Sequence, residues 1–240
     1  MIPAEQLSSE RHRTALRHRT ALRHRITFAT QRTLAYVSVL ELGAIWERSL
    51  RRAEVPLKYS QGYNPRPRLQ FAAPLPVGCG SEADLLDILL HTPQTAEAVA
   101  AALVGKLPPD LTVIDARAVP DDEPALAEQL TAAEYRVWLR DVERAEVEAA
   151  IAAFLAREEA LLPKRGRKYR GKPYNLRPLV YELRGIDAPA PWIGLWMRVN
   201  ARPGATGRPD EVLKALGWQD TPRRCTRERL ILVPDTGGSQ

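Results

Sequence analysis

The densest chemistry-bearing stretch of the 240-residue chain is Lys164 to Lys172. There Lys164, Arg165, Arg167, Lys168, Arg170 and Lys172 place six cations in nine residues. Tyr169 lies among them, and Tyr174, Asn175 and Arg177 follow directly. Cations this close repel one another, so ordering them costs free energy unless an anion is present. A nucleic-acid backbone supplies that anion through phosphate contacts and counterion release. The two tyrosines add flat faces for base stacking, worth about 1–3 kcal/mol each when used. Gly166 and Gly171 let the backbone approach a ligand closely. The plain alternative is a solvated loop that binds nothing. Interleaving with Tyr and Gly inside a folded segment favours RNA or another polyanion.

A second candidate is the loop Lys58 to Arg68. Ser60, Gln61 and Gly62 supply hydrogen-bonding groups and a free backbone, and Tyr59 and Tyr63 bracket them. Asn64-Pro65 and Arg66-Pro67 hold the chain extended or in a turn. Arg51, Arg52, Lys58, Arg66 and Arg68 flank one side of the loop. A crossover loop whose Gly and Pro merely turn the chain explains the same composition equally well.

Catalytic constellations are nearly absent. His91 is the only histidine beyond residue 25, and a single His near a strand end is usually structural. Asp84 and Asp87 are three apart on an expected strand, so they project to opposite faces and do not form a carboxylate pair. Glu82 and Asp84 share a face, which a solvated strand edge explains as well. There is no GxSxG, HExxH, P-loop or GxGxxG motif. Cys79 and Cys225 lie far apart with no CxxC, which excludes a cysteine-ligated cluster or structural zinc supplied by this chain alone. No catalytic residue, metal or cofactor is expected.

The elements that must position these residues follow from hydrophobic spacing. The apolar fraction is 45%, Lys+Arg number 35 against 29 Asp+Glu, and the net charge is +6. That composition suits a globular core. No apolar run approaches a membrane span, and the polar N-terminus does not resemble a signal peptide, so a cytoplasmic protein without a membrane partner is expected. Residues 11 to 25 carry a six-residue Arg-His-Arg-Thr-Ala-Leu repeat, and residues 1–24 read as a disordered basic tail. Ile26 and Phe28 then mark a strand. Ser38 and Glu41 form a capping box ahead of a helix with Val39, Leu42, Gly43, Trp46 and Leu50 on one face. Leu69–Ala73 and Asp84–Leu90 read as strands, Thr92-Pro93 as a helix start, and Leu111–Arg117 as a fourth strand. After an acidic, Pro-bounded linker over 120–132, the same order repeats. Tyr135, Val137 and Leu139 alternate as a strand, and Val147, Ala150, Ile151 and Phe154 mark a helix. Strands at 178–184 and 192–199, a helix at 209–216 and a strand at 230–233 complete the set. The expected architecture is α+β, with two tandem ferredoxin-like (βαββαβ) modules over 25–119 and 133–234 and a tail over 235–240. Leu161 to Arg177 is expected to be an irregular, functional loop.

The stretches around Ile26, Ser38–Leu42, Leu50–Ala53, Pro56–Pro67 and Pro74–Gly78 strongly resemble one family. It is the bacterial radical-SAM-linked domain of unknown function, found as a separate protein or at the C-terminus of a radical SAM protein. The Ser60-Gln61-Gly62-Tyr63-Asn64-Pro65-Arg66-Pro67 core is a specific signal, and the basic segment ending at Arg177 resembles a second family motif. Val39 stands where the family usually has His, Glu41 where it has Asp, and Thr30 where it has a basic residue. The resemblance implies a role around RNA. A radical SAM enzyme needs three cluster thiolates, and this chain has two distant cysteines, so it is not itself that enzyme.

These readings converge on a non-catalytic RNA-binding partner of a separate radical SAM protein, presenting tRNA or rRNA for modification. The alternatives are an RNA-processing or RNA-modifying enzyme in its own right, using Asp84, Glu82 or His91, and a protein–protein adaptor whose basic loop meets an acidic surface.

Overall fold

The computed structural model describes residues 20–164 and 172–233. The fold is α+β, and it divides into two units between Leu126 and Ala127.

In the first unit, the elements are β1 (Ala21–Thr30), α1 (Val39–Arg52), β2 (Leu69–Phe71), β3 (Cys79–Gln94), α2 (Ala96–Leu103) and β4 (Leu111–Ala118). β1 pairs antiparallel with β3 on one side and β4 on the other, and β2 pairs antiparallel with β3, giving the order β4-β1-β3-β2. Ile26 and Phe28 of β1 and Leu86, Ile88 and Leu90 of β3 are buried with Trp46 and Leu50 of α1. Phe28 meets Trp46 edge-on at 5.1 Å and Phe71 at 6.1 Å between ring centroids. Each of these side chains contributes about 1.5–3 kcal/mol by leaving water. The expected capping box starts α1: the Glu41 amide donates to Ser38 Oγ at 3.3 Å and the Ser38 amide to Glu41 Oε2 at 2.7 Å.

Two boundaries of this unit differ from expectation. β1 begins at Ala21, so the last residues of the basic repeat are strand rather than tail; residues 1–19 lie outside the described residues. Ladder pairing holds them there, with Ala21 opposite Gln94, Arg23 opposite Leu89 and His24 opposite Ala118. Arg25 is buried, yet its guanidinium forms a fork on Asp87 at 2.8 and 3.0 Å and reaches Glu123 at 2.7 Å. Asp87 is its cross-strand neighbour on β3. Arg117 of β4 grips the same Glu123 with two bonds of 2.7 and 2.8 Å. Density of Arg reads as solvation only while the carboxylates are unknown. The second difference is at Thr92-Pro93, which extends β3 instead of starting α2. Thr95 is the cap, accepting from the Ala98 amide at 3.2 Å, while the Thr92 hydroxyl shares a hydrogen bond with the His91 ring.

The second unit contains β5 (Leu130–Leu139), α3 (Arg144–Leu155), β6 (Leu161–Pro163), β7 (Pro173–Asn175), β8 (Val180–Ile186), β9 (Ile193–Asn200), α4 (Pro209–Ala215) and β10 (Arg223–Leu232). Its main strands pair antiparallel in the order β10-β5-β9-β8, which repeats the first unit's arrangement element for element. α3 packs on β8 and β9. Gly194 permits the tight β8–β9 pairing, because a Cβ there would lie 2.6 Å from the Ile186 carbonyl oxygen. The expected linker is partly regular: a helical turn spans Leu126–Gln129 and β5 starts at Leu130. Leu126 and Leu130 are both buried, and that apolar anchorage outweighs the acidic flank. The 161–177 segment is likewise not wholly irregular, since β6 and β7 pair antiparallel with Pro163 opposite Pro173. Among the described residues no helix is long and apolar enough to cross a membrane.

Candidate nucleic-acid interface

The residues from Leu57 to Arg68 form a narrow hairpin built onto β3. The Lys58 amide donates to the Leu89 carbonyl at 2.8 Å, the Leu89 amide to Arg68 at 3.1 Å, and the Arg68 amide to Lys58 at 2.9 Å. Leu57 pairs with Leu90, and Tyr59 with Pro67. Ser60 closes the turn twice: its amide donates to the Arg66 carbonyl at 2.8 Å, and its hydroxyl accepts from the Arg66 amide at 3.0 Å. Ser60 is therefore a turn-forming residue. Gly62 sits at φ +153°, where a side chain is strained. The tip holds Gln61, Gly62, Tyr63 and Asn64, all exposed, and the Tyr63 ring is 100% accessible.

Lys58, Tyr59, Arg66 and Arg68 are exposed on the arms of this hairpin. Among the described residues, no hydrogen bond or ion pair engages the side chains of Lys58, Arg66 and Arg68. Arg51 and Arg52 are placed differently, at the end of α1. Arg51 pairs with Glu47 at 2.8 Å, and Arg52 donates to the Lys106 carbonyl at 2.6 Å. Pairs as exposed as Arg51–Glu47 are worth about 0–1 kcal/mol, so an incoming phosphate competes readily for that arginine.

Of the second candidate stretch, Lys164 follows β6 and Lys172 precedes β7, and the Lys164 amide donates to the Lys172 carbonyl at 2.9 Å. Lys164 and Lys172 are exposed and Tyr174 is half-buried. Arg165, Arg167, Lys168, Tyr169 and Arg170 lie outside the described residues. Asn175 and Arg177 are engaged in the fold itself. The Asn175 side-chain oxygen accepts from the amides of Ala160 at 2.9 Å and Arg177 at 3.0 Å. Arg177 donates to the carbonyls of Leu155 and Val180 and lies over the Phe154 ring at 5.8 Å, fastening the hairpin to the last turn of α3.

The residues considered as general bases are embedded or ordinary. Asp84 is buried, Glu82 is exposed, and the exposed His91 ring bonds to its neighbour Thr92. Among the described residues, no three His, Cys, Asp or Glu side chains converge as a metal site would require.

Residues 23–209 match the family of uncharacterized proteins conserved in bacteria, DUF2344. The chain belongs to that family. No curated protein sequence matches it. Among solved structures, a chain in a Cbf5-Nop10-Gar1 complex is similar over 86% of this chain and 48% of its own length, at 12% identity and a TM-score of 0.47. A chain in the structure of an H/ACA RNP bound to a substrate RNA containing 2'-deoxyuridine is similar over 85% of this chain and 47% of its own, at 11% identity and a TM-score of 0.42. An unknown protein from Galdieria sulphuraria is similar over 90% of this chain and 99% of its own, at 15% identity and a TM-score of 0.25. This DUF2344 chain thus spans about half the length of the two RNP chains, and at these TM-scores the likeness carries no functional weight.

One concentration of cations in this DUF2344 protein escapes a reading by runs, because it is assembled from four strands. Tyr135, Val137, Leu139, Leu195, Met197 and Val199 are buried. The residues between them carry Arg136 and Trp138 on β5 and Trp196 and Arg198 on β9, with Arg184 and Arg224 opposite them on β8 and β10. Glu134 is the ionic centre of this face, bound by Arg198 at 2.7 Å and by Arg229. Burial pushes its carboxyl up, but the hydrogen bonds and charges of the two arginines outweigh this and hold it below the usual value. The available signal was the Arg-Val-Trp-Leu-Arg alternation from Arg136, whose second face is as regular as its first.

Proposed function

We propose that this chain binds RNA, tRNA or rRNA, and presents it to a separate radical SAM protein without catalysing the modification itself. The observation that carries the reading is the β3-anchored hairpin, whose arms carry Lys58, Arg66 and Arg68 and whose tip carries a bare Tyr63. Buried cations elsewhere, such as Arg25, are matched by carboxylates; these three are not. Three unmatched cations and an aromatic face on a rigid stem suit a phosphate backbone with an accessible base. Lys164, Arg165, Arg167, Lys168, Arg170 and Lys172 supply a second cluster in the other unit. The strand orders β4-β1-β3-β2 and β10-β5-β9-β8, each interleaved with two helices, support two ferredoxin-like modules as the scaffold.

Titration of labelled structured RNA against rising salt tests this reading. Counterion release predicts a log-linear loss of affinity. Replacing Lys58, Arg66 and Arg68 with Ala is expected to lower the slope by about 2 to 3, at roughly 0.7–0.9 for each phosphate no longer neutralised. Alanines at Lys164, Arg165, Arg167, Lys168 and Arg170 are expected to lower it further. Salt-independent binding refutes the reading, and RNA turnover by the purified chain alone supports the enzyme alternative.

A further inference from the structure

We infer that the arginine–tryptophan face of the second unit's sheet is a binding surface for unpaired RNA bases. The inference rests on the RNA-binding reading and specifies single strands as the target. Arg184 lies 4.5 Å above the Trp196 ring, with Arg198 at 5.6 Å. Arg224 lies 4.6 Å from the Trp192 ring and Arg140 5.9 Å from it. Arg136 covers Trp138 at 5.5 Å. Trp138 and Trp196 in the sheet and Trp192, directly before β9, three of the five tryptophans, are thus each met by a guanidinium group.

Ordinary packing explains an arginine lying on an indole, but not the charge balance of this face. Glu134 is shared by Arg198 and Arg229, Glu182 pairs with Arg184, and Glu228 accepts from both Arg136 and the Trp196 indole. No carboxylate pairs with Arg140 or Arg224 among the described residues, and both are exposed. The face is therefore net positive, and its excess is concentrated around Trp192.

That combination selects its ligand. A planar guanidinium already held against a sheet face presents its second face to another flat π-system and its N–H edge to phosphate. Base stacking on such a platform needs unpaired bases, because a duplex buries them against each other. An acidic peptide supplies charge without flat faces and uses only half of the surface.

The test uses the full chain and three fluorescein-labelled probes of equal length: a uridine RNA of about twelve nucleotides, within the range of single-strand site sizes, its abasic counterpart and a perfect RNA duplex. Anisotropy gives affinity, and tryptophan emission reports contact with the indoles. The variant is Arg184→Gln with Arg224→Gln, which keeps an alkyl stem and a planar amide over each indole while removing the charge. Its thermal unfolding is measured alongside; if it unfolds early, Arg224→Lys, which preserves charge but not the plane, replaces it. The uridine RNA is expected to bind wild type about tenfold or more tightly than the abasic strand and to quench tryptophan emission. Either variant is expected to lose that advantage, with a salt slope smaller by about 1.4 for the Gln pair and unchanged for Arg224→Lys. Equal binding of uridine and abasic strands, or a variant that binds the uridine RNA like wild type, overturns this inference while leaving structured-RNA binding intact. A wild-type chain that binds none of the probes and no structured RNA overturns both.

Discussion

Asp87→Asn isolates the buried charge cluster of the first unit and yields a number that can be checked. Arg25 is only 3% exposed, and Asp87 supplies two of its close contacts, at 2.8 and 3.0 Å. The amide keeps the shape but removes the charge. Glu123 then faces three guanidiniums, those of Arg25 and Arg117 at its carboxylate and that of Arg23 at its backbone carbonyl. Breaking one partner of a buried pair costs about 3–5 kcal/mol, because the surviving charge is stranded out of water. Glu123 stays 2.7 Å from Arg25, so the lower end, about 3 kcal/mol, is expected. For a unit of this size that corresponds to a fall in Tm of roughly 12–24 °C. Urea unfolding, with the slope m unchanged, measures the loss directly. Arg25→Met combined with Asp87→Leu removes both charges and is expected to recover most of it. A loss below about 0.5 kcal/mol for Asp87→Asn, or a double variant as unstable as the single one, refutes the claim that β1 is held by compensated buried charge.

Burial pushes the His24 imidazole down from its usual 6.5, against the opposing pull of the Ala21 and Gln94 carbonyls. The unfolded chain therefore takes the extra proton first, and stability is expected to fall as pH drops below about 6.5 and to be level above it; His24→Gln should flatten that slope in urea midpoints measured across pH. Tyr63→Ala is expected to leave the unfolding free energy within about 0.5 kcal/mol of wild type, since the ring is fully exposed, while weakening RNA binding by about 1–3 kcal/mol in anisotropy titrations. Ser38→Ala removes the acceptor at the start of α1 and is expected to cost about 1 kcal/mol, with Ser38→Gly costing a few tenths, both read from urea midpoints.

Local rules carried the sequence reading where local rules decide the structure. The capping box at Ser38 and Glu41 and the Leu42–Trp46–Leu50 stripe needed only spacing within one helix, and both are present. The Tyr135–Val137–Leu139 alternation was equally local. Failures came wherever a partner distant in sequence set the outcome. Residues 21–24 read as tail until β3 and β4, distant in sequence, are placed beside them. Thr92-Pro93 reads as a helix start until the length of β3 is known; the strand runs to Gln94 and Thr95 is the cap. In the candidate site, the Ser60 to Pro67 turn was visible as a loop, but its rigidity came from pairing with β3 at Leu89 and Leu90. Asn175 and Arg177 looked like ligand contacts because their runs were basic and polar, yet Ala160 and Leu155 claim them.

The same physics separates the cations into two populations and gives each a different task. An arginine inside a sheet must be neutralised before the strand can form, so Arg25 and Arg117 come with carboxylates, and mutating them is a stability experiment. A lysine or arginine on a hairpin arm meets no such requirement while it remains in water, so Lys58, Arg66 and Arg68 need no partner for folding. Their mutual repulsion is a modest stored energy that an external polyanion relieves, screened over about 10 Å at roughly 0.1 M salt. Mutating them should therefore change binding and its salt dependence while leaving stability almost untouched. The Arg140–Trp192–Arg224 cluster falls between these classes: its guanidiniums pack on an indole as structural arginines do, yet no carboxylate balances them among the described residues. Such a residue contributes to both assays, and a variant that keeps the stem while discarding the charge is what divides the two contributions.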